Sequence, residues 1–298
     1  MKPLLLSLLL FSTTGIEAQN NPGTGGKRID TIHSAILNED RYIWVHVPDK
    51  AAVASNYPVI YVLDGQIFFD EVNNILSRLN KETGKDITNE MIVVGIGNIG
   101  QRYRDYSPTA ITSSPWVDKY SASITGGGEK FISFMEKELF PHVQSKYNAL
   151  SIRILIGHSM GGLEVMNILL RHSGMFNCYA AIDPSMWWDD QKLLNESKTI
   201  LADKTFEKRS LFLAVANTKD MDMDASQIKK DTSAKTVLIR PSLTLVDYIS
   251  ANKQNKLKFE WKYYKAHHHM TVPAPAMYDA LKFFIDVIAS RSSVDKAK

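Results

Sequence analysis

The stretch RILIGHSMGGLEVMNILL, residues 153–170, constrains the fold more than any other part of the chain. RILI is a short apolar run of the kind found in buried strands, and GLEVMNILL carries apolar side chains at helical spacing. Between them stands Gly157-His158-Ser159-Met160-Gly161, with a further glycine at Gly162. A strand that passes straight into a helix must turn sharply, and small residues two positions before and after Ser159 let the two segments approach. A serine at the apex of such a turn sits in strained backbone, with its hydroxyl beyond the carboxyl edge of the sheet. The first amides of the following helix then lie near any negative charge that develops beside it. A glycine-rich turn without chemistry is the plainer alternative, because Gly-x-Ser-x-Gly on its own is a common pattern.

The same alternation of strand and helix runs through the chain. IDTIHSAIL (29–37) and RYIWVHVP (41–48), separated by Asn-Glu-Asp, predict a hairpin. PVIYVLD (58–64) reads as a central strand buried on both faces. A helical pattern follows over 67–79, then the strand MIVVGIG (91–97) and a long polar stretch, 98–127, without clear periodicity. Residues 127–147 carry a helix stripe through Phe131, Phe134, Met135, Leu139 and Val143. After the RILI strand and its helix come the strand CYAAID (178–183), a helix within 187–204, the strand SLFLAVAN (210–217) and a mostly helical 236–253. KLKFEWKYYK (256–265) reads as a strand with Leu257, Phe259, Trp261 and Tyr263 on one face, and a helix over 275–290 closes the pattern. The expected fold is α/β: an eight-stranded, mostly parallel sheet flanked by helices, with an N-terminal antiparallel hairpin. No internal repeat or linker divides it, so residues 29–290 are expected to form one domain.

With 298 residues and 44% hydrophobic content, a single large core is feasible. The first 18 residues, one Lys followed by an apolar run and then small and polar residues, have the layout of a secretory signal peptide, with an apolar run too short to span a bilayer. Residues 19–28 read as a flexible lead-in and 291–298 as a polar tail. The expected location is therefore secreted or periplasmic, with no membrane span. Export permits disulfides, yet Cys178 is the single cysteine and lies in an apolar run, so it is expected to be a small core residue. A net charge of +3, spread through mixed-sign segments, gives no reason to expect a nucleic-acid partner.

Several segments, in this order, resemble the α/β-hydrolase superfamily, and within it the esterase family that includes enterobactin esterases, S-formylglutathione hydrolases and mycobacterial mycolyltransferases. They are PVIYVLDGQ, RYRDYSPT, GGGEKFISFMEKELFP, GHSMGG, DPSMWW and HMTVPAPAMYDALKFF, which together span residues 57–284. The resemblance implies a serine esterase that needs no cofactor and no metal, acting on a small-molecule or carbohydrate ester. A siderophore lactone or a carbohydrate acetyl or feruloyl ester is the expected substrate. An acyltransferase using the same residues, or a binding protein that kept the fold and lost catalysis, are the alternatives.

A serine hydroxyl needs a base within hydrogen-bond reach, usually a histidine that a carboxylate holds in place. In this fold the chain order is Ser, Asp or Glu, then His. His172 and the triplet His267, His268 and His269 follow Ser159, and His172 belongs to the helix that leads away from it. His269-Met270-Thr271-Val272-Pro273 resembles the family pattern His-Gly-Ser-Val-Pro, which makes His269 the expected base, with His268 the alternative. Three adjacent rings are a poor metal site, since neighbouring side chains point apart. The acid is expected in the loop after SLFLAVAN, where the position of the carboxylate in relatives favours Asp220 over Asp222 and Asp224. For the oxyanion hole the expected backbone amides are those of Met160 and, by resemblance, Gln66. Trp187 and Trp188 are candidate walls of a substrate pocket, with a core role equally open. Asp64 is expected to be a turn residue, and Arg102, Arg104 and Asp105 to form structural ion pairs.

Overall fold

The structure, a computed structural model, describes residues 26–48, 57–84, 91–147, 149–217 and 222–295. The expected leader over 1–18, most of the lead-in and Asp220 lie outside the described residues.

The chain opens with β1 (Gly26–Ser34) and β2 (Glu39–Val47), the expected antiparallel hairpin. It continues through β3 (Tyr57–Leu63), α1 (Gly65–Thr83), β4 (Ile92–Ile96), α2 (Arg102–Asp105) and α3 (Lys119–Ser123). A helical run follows, made of α4 (Gly128–Phe134), a wider π-type turn (Met135–Leu139) and α5 (Phe140–Tyr147). Then come β5 (Ala149–His158), α6 (Met160–Arg171), β6 (Cys178–Ile182), α7 (Trp188–Asp203) and β7 (Ser210–Ala216). The last elements are α8 (Ala225–Lys230), α9 (Arg240–Ala251), β8 (Lys258–Tyr264) and α10 (Pro273–Asp295). The helix α10 therefore includes residues 291–295 of the expected tail.

The eight strands form one sheet in the order β1-β2-β4-β3-β5-β6-β7-β8. β2 pairs antiparallel with both β1 and β4, and every later pairing is parallel. β4, β6 and β7 are buried throughout because helices cover both faces. Alternate residues supply the two cores. Ile60, Val62, Ile154, Ile156, Cys178 and Ala180 meet α1 and α10 on one face. Tyr61, Leu63, Leu155, Tyr179, Leu211 and Leu213 meet the helices from α4 to α7 and α9 on the other. Cys178 is thus a fully buried core residue. The edge strand β8 is covered on one face: Leu257, Phe259, Trp261 and Tyr263 pack against the second core, while Lys262 on the opposite face pairs with Asp279 of α10.

Ion pairs hold the polar segment 98–127 over the sheet. Arg104 reaches Glu39 and Asp105, buried Arg41 pairs with Asp105 and Glu39, and Arg102 binds Asp64. At the other end, Glu138 in the π-type turn accepts from Ser34 Oγ and the Ala35 and Ile36 amides, fixing the hairpin loop. Parallel strands all end at one edge of the sheet, and the residues that follow β3, β5, β6, β7 and β8 gather there.

Candidate active site

Ser159 follows β5 directly and has φ 59° and ψ −117°, a conformation L-residues rarely adopt. Its N–H donates to Ile182 O at 3.0 Å, and its carbonyl accepts from Leu163 N at 2.9 Å and Ser185 N at 3.1 Å. The turn closes because Gly157 has no side chain: a Cβ there would lie 2.3 Å from Gly161 O. Two of these bonds bracket Asp183, the residue after β6, so the Ser159 turn and the end of β6 are locked together. The Ser159 Oγ lies 3.4 Å from Ser185 Oγ.

Asp183 is itself left-handed, with φ 43°, and only 7% exposed. Its N–H donates to Ala214 O at 2.8 Å, its Oδ1 accepts from Ala216 N at 3.0 Å, and its Oδ2 lies 2.5 Å from His269 Nδ1. Since the carboxylate accepts, His269 Nδ1 carries the hydrogen, and in the neutral ring the lone pair is then on Nε2. His269 stands in the loop between β8 and α10. Asn217 holds that loop by donating from N to His267 O and from Nδ2 to Lys265 O, while His268 O accepts from Thr271 N and Val272 N at the approach to α10. His268 is exposed and its Nδ1 accepts from Met270 N. His172 ends α6 and pairs with Glu129.

The three loop aspartates fare differently. Asp222 is exposed and pairs with Lys265, Asp224 caps α8 through a capping box with Gln227, and Asp220 falls outside the described residues. The carboxylate beside His269 is Asp183, which residue patterning passed over. Its signal was present: it ends the run CYAAID on the same sheet edge, between Ser159 and His269 in chain order.

Met160 is the first residue of α6 and Gln66 the second of α1, positions whose N–H groups have no intrahelical acceptor. Gln66 is steadied by Nε2 donating to Asn98 Oδ1, and Asn98 Nδ2 donates to Asp64 Oδ1. Asp64, left-handed and 1% exposed, takes a two-pronged guanidinium contact from Arg102, and its N–H donates to the buried Tyr106 hydroxyl. Arg102 also donates to His158 O, which joins the Gln66 loop to the serine turn.

Trp187 and Trp188 divide. Trp188 is buried, donates from Nε1 to Thr109 O and stacks on Tyr103. Trp187 lines an open cavity of about 410 Å³ with the 110–116 segment, Asp189 and Asp190. Among the described residues, no cluster of three or more His, Cys, Asp or Glu side chains is placed to hold a metal ion, and no helix is long and apolar enough to cross a membrane.

Residues 34–276 match the family model described as "Putative esterase". Ferri-bacillibactin esterase BesA of Bacillus subtilis (strain 168) is 29% identical over 181 residues, covering 58% of this chain and 63% of that protein. Apo-salmochelin esterase of Escherichia coli O6:H1 is 31% identical over 156 residues, covering 48% of this chain and 46% of that protein. The chain thus spans less than two thirds of the length of these curated relatives. Among solved structures, an IroE-like serine hydrolase from Shewanella oneidensis superposes with a TM-score of 0.76 at 29% identity, covering 87% of this chain and 79% of that one.

Proposed function

The chain belongs to this esterase family, and from that premise and the site geometry we propose that it is a serine hydrolase cleaving a carboxylic ester through Ser159, His269 and Asp183. The observation that carries the reading is the bracketing of Asp183: two backbone hydrogen bonds tie its neighbours to Ser159 while its carboxylate holds His269. Nucleophile, base and acid then share one rigid frame.

His269 Nε2 takes the proton from Ser159 Oγ as the oxygen attacks the ester carbonyl carbon. The carbonyl oxygen becomes an oxyanion, received by the N–H groups of Met160 and Gln66. Collapse breaks the bond to the alcohol oxygen, which leaves with the proton from Nε2. Water then repeats the sequence: it gives its proton to Nε2, attacks the acyl carbon and releases the acid, and Ser159 recovers its proton. Asp183 accepts from Nδ1 throughout, which keeps the hydrogen on that nitrogen and the lone pair of the neutral ring on Nε2.

The relatives named ferri-bacillibactin esterase and apo-salmochelin esterase, together with a "Siderophore triacetylfusarinine C esterase" of Aspergillus fumigatus, support a siderophore lactone as substrate. The leader-like residues 1–18 support a place outside the cytoplasm. A panel of chromogenic short-chain esters, a feruloyl ester and a tri-catecholate lactone, run on wild type and Ser159→Ala, tests the assignment. Hydrolysis by wild type alone is expected; no turnover together with no fluorophosphonate labelling of Ser159 overturns it.

A further inference from the structure

His158 directly precedes Ser159, yet its side chain serves a different element. The ring is 5% exposed and packs against His269, with centroids 4.4 Å apart and planes inclined by 37°. Phe68 of α1 meets it edge-on at 5.8 Å. The Nε2 atom lies 2.9 Å from the carbonyl oxygen of His269. A carbonyl can only accept, so Nε2 carries a hydrogen. Burial first, and the neighbouring His269 second, push the His158 pKa down to about 3. Near neutral pH the ring is therefore the uncharged Nε2–H tautomer, a donor that cannot itself serve as the base, because its one lone-pair nitrogen is Nδ1.

A single hydrogen bond from Nδ1 to Asp183 leaves the His269 imidazole free to swing about that contact. A second anchor on the same residue, from a different direction, removes that freedom. The backbone of His158 supplies a third link, since its carbonyl accepts from Arg102 Nη2 at 3.1 Å, and Arg102 grips Asp64 just before Gln66.

We propose that His158 is the positioning residue for the base: its Nε2–H holds the His269 main chain and its ring backs the imidazole, so that serine turn, base loop and oxyanion loop keep one register. The proposal rests on the serine-hydrolase reading above. A displacement of about 1 Å at a reacting group can cost about 100-fold in rate, which sets the scale of the expected effect.

Three substitutions separate donor from ring. His158→Gln places an amide nitrogen near the Nε2 position, His158→Asn places it near Nδ1, out of reach of the carbonyl, and His158→Phe keeps a stacking ring without a donor. In full-length protein labelled with 15N-histidine, the His269 Nδ1–H signal, identified by its loss in His269→Gln, is expected to be slowly exchanging in wild type and His158→Gln. In His158→Asn and His158→Phe it is expected to exchange rapidly. On a chromogenic ester, kcat should fall about 10- to 100-fold in the Asn and Phe variants with KM little changed, and recover most of its value in Gln. Wild-type exchange and kcat in the Phe variant, or equal losses in Gln and Asn, overturn the proposal. Fluorophosphonate labelling of wild-type Ser159 tests the hydrolase reading separately. If labelling fails, the exchange comparison still decides whether His158 anchors His269.

Discussion

Asp183 and His269 follow strands that are not neighbours in the sheet, yet Asp183 Oδ2 lies 2.5 Å from His269 Nδ1. β7 stands between β6 and β8, so the His269 loop must cross two strand spacings, about 4.8 Å each. The end of β7 makes this crossing possible from both sides. Ala216 N donates to Asp183 Oδ1, and Asn217 draws the loop over through His267 O and Lys265 O. The pair is therefore a three-strand construction, with β7 as its middle support.

The acid assignment separates Asp183 from the loop aspartates. Asp183→Asn is expected to lower kcat by about 100- to 10,000-fold with little change in KM, because an amide in place of the carboxylate no longer selects the Nδ1–H tautomer of the base. Asp222→Asn and Asp224→Asn should each change kcat by no more than about twofold, because both are exposed charges and such charges contribute little; Asp220→Asn is expected to be equally mild because His269 Nδ1 already has Asp183 as its carboxylate partner. Steady-state kinetics on one chromogenic ester decide the matter. A larger loss in Asp220→Asn than in Asp183→Asn would move the acid to the β7 loop.

Within the histidine triplet the roles should be unequal. His269→Ala is expected to cost about 1,000-fold or more in kcat, in line with the loss of a general base that works together with its nucleophile. His268→Ala and His267→Ala should be mild, since the exposed His268 ring accepts from the Met270 amide and His267 is held by its backbone and packs edge-on against Tyr264, neither ring donating to or accepting from the His269 ring among the described residues. Parallel kcat measurements on the three variants check this, and a severe His268→Ala would transfer the base.

The two glycines flanking Ser159 are not equivalent. A Cβ on Gly157 would sit 2.3 Å from Gly161 O and 2.5 Å from Gly161 C, both backbone atoms that cannot retreat without opening the turn. A Cβ on Gly161 would meet Leu63 Cβ at 3.5 Å and Asp64 Oδ2 at 3.6 Å, ordinary contact distances. Gly157→Ala is expected to abolish soluble folded protein or lower Tm by about 10 °C, a cost of about 3–5 kcal/mol from overpacking against backbone. Gly161→Ala should shift Tm by only a few degrees. Thermal unfolding of both variants tests the asymmetry, and similar Tm values for the two would refute it.

Residue patterning reached the strands because β4, β6 and β7 are buried on both faces and therefore appear as unbroken apolar runs, while the edge position of β8 shows as alternation from Leu257 to Tyr263. The serine turn was legible because glycines and a change of period meet there. The partner of His269 was not. Carboxylates at the ends of β6 and β7 lie on the same edge in the same chain order, and local sequence does not distinguish them. The distinction comes from the left-handed φ of Asp183 and the pull of Asn217 on the His269 loop, both consequences of tertiary packing. Segment 98–127 was opaque for a similar reason: its order comes from ion pairs such as Arg104 with Glu39, which join distant parts of the chain and leave no periodic trace.

Glu164 gives the molecule a predictable response to pH. It lies in α6 with no exposed surface; Oε2 accepts from Asn167 Nδ2 at 3.2 Å, and Oε1 has no hydrogen-bond partner among the described residues. Burial above all, with smaller contributions from the charges of Glu129 and Asp105, pushes its pKa up to about 8. In the unfolded chain a glutamate ionises near its ordinary value of about 4.3. Between those two values the unfolded state has released the proton and the folded state still holds it, so stability falls as pH rises through the window and levels off above it. His158 acts in the opposite direction at lower pH, because its folded pKa of about 3 lies below the unfolded value of about 6.5, and stability from that source rises up to about pH 6.5. Above about pH 6.5 the His158 contribution is complete, so the Glu164 contribution falls without that opposing rise between about pH 6.5 and 8.5. Glu164→Gln keeps the side-chain volume and removes the ionisation. Its Tm is expected to exceed that of wild type by several degrees at pH 8, on the order of a few kcal/mol, with the gap closing toward pH 5. Paired melts across that range measure it, and a gap that stays constant with pH would mean that Glu164 does not titrate in this window.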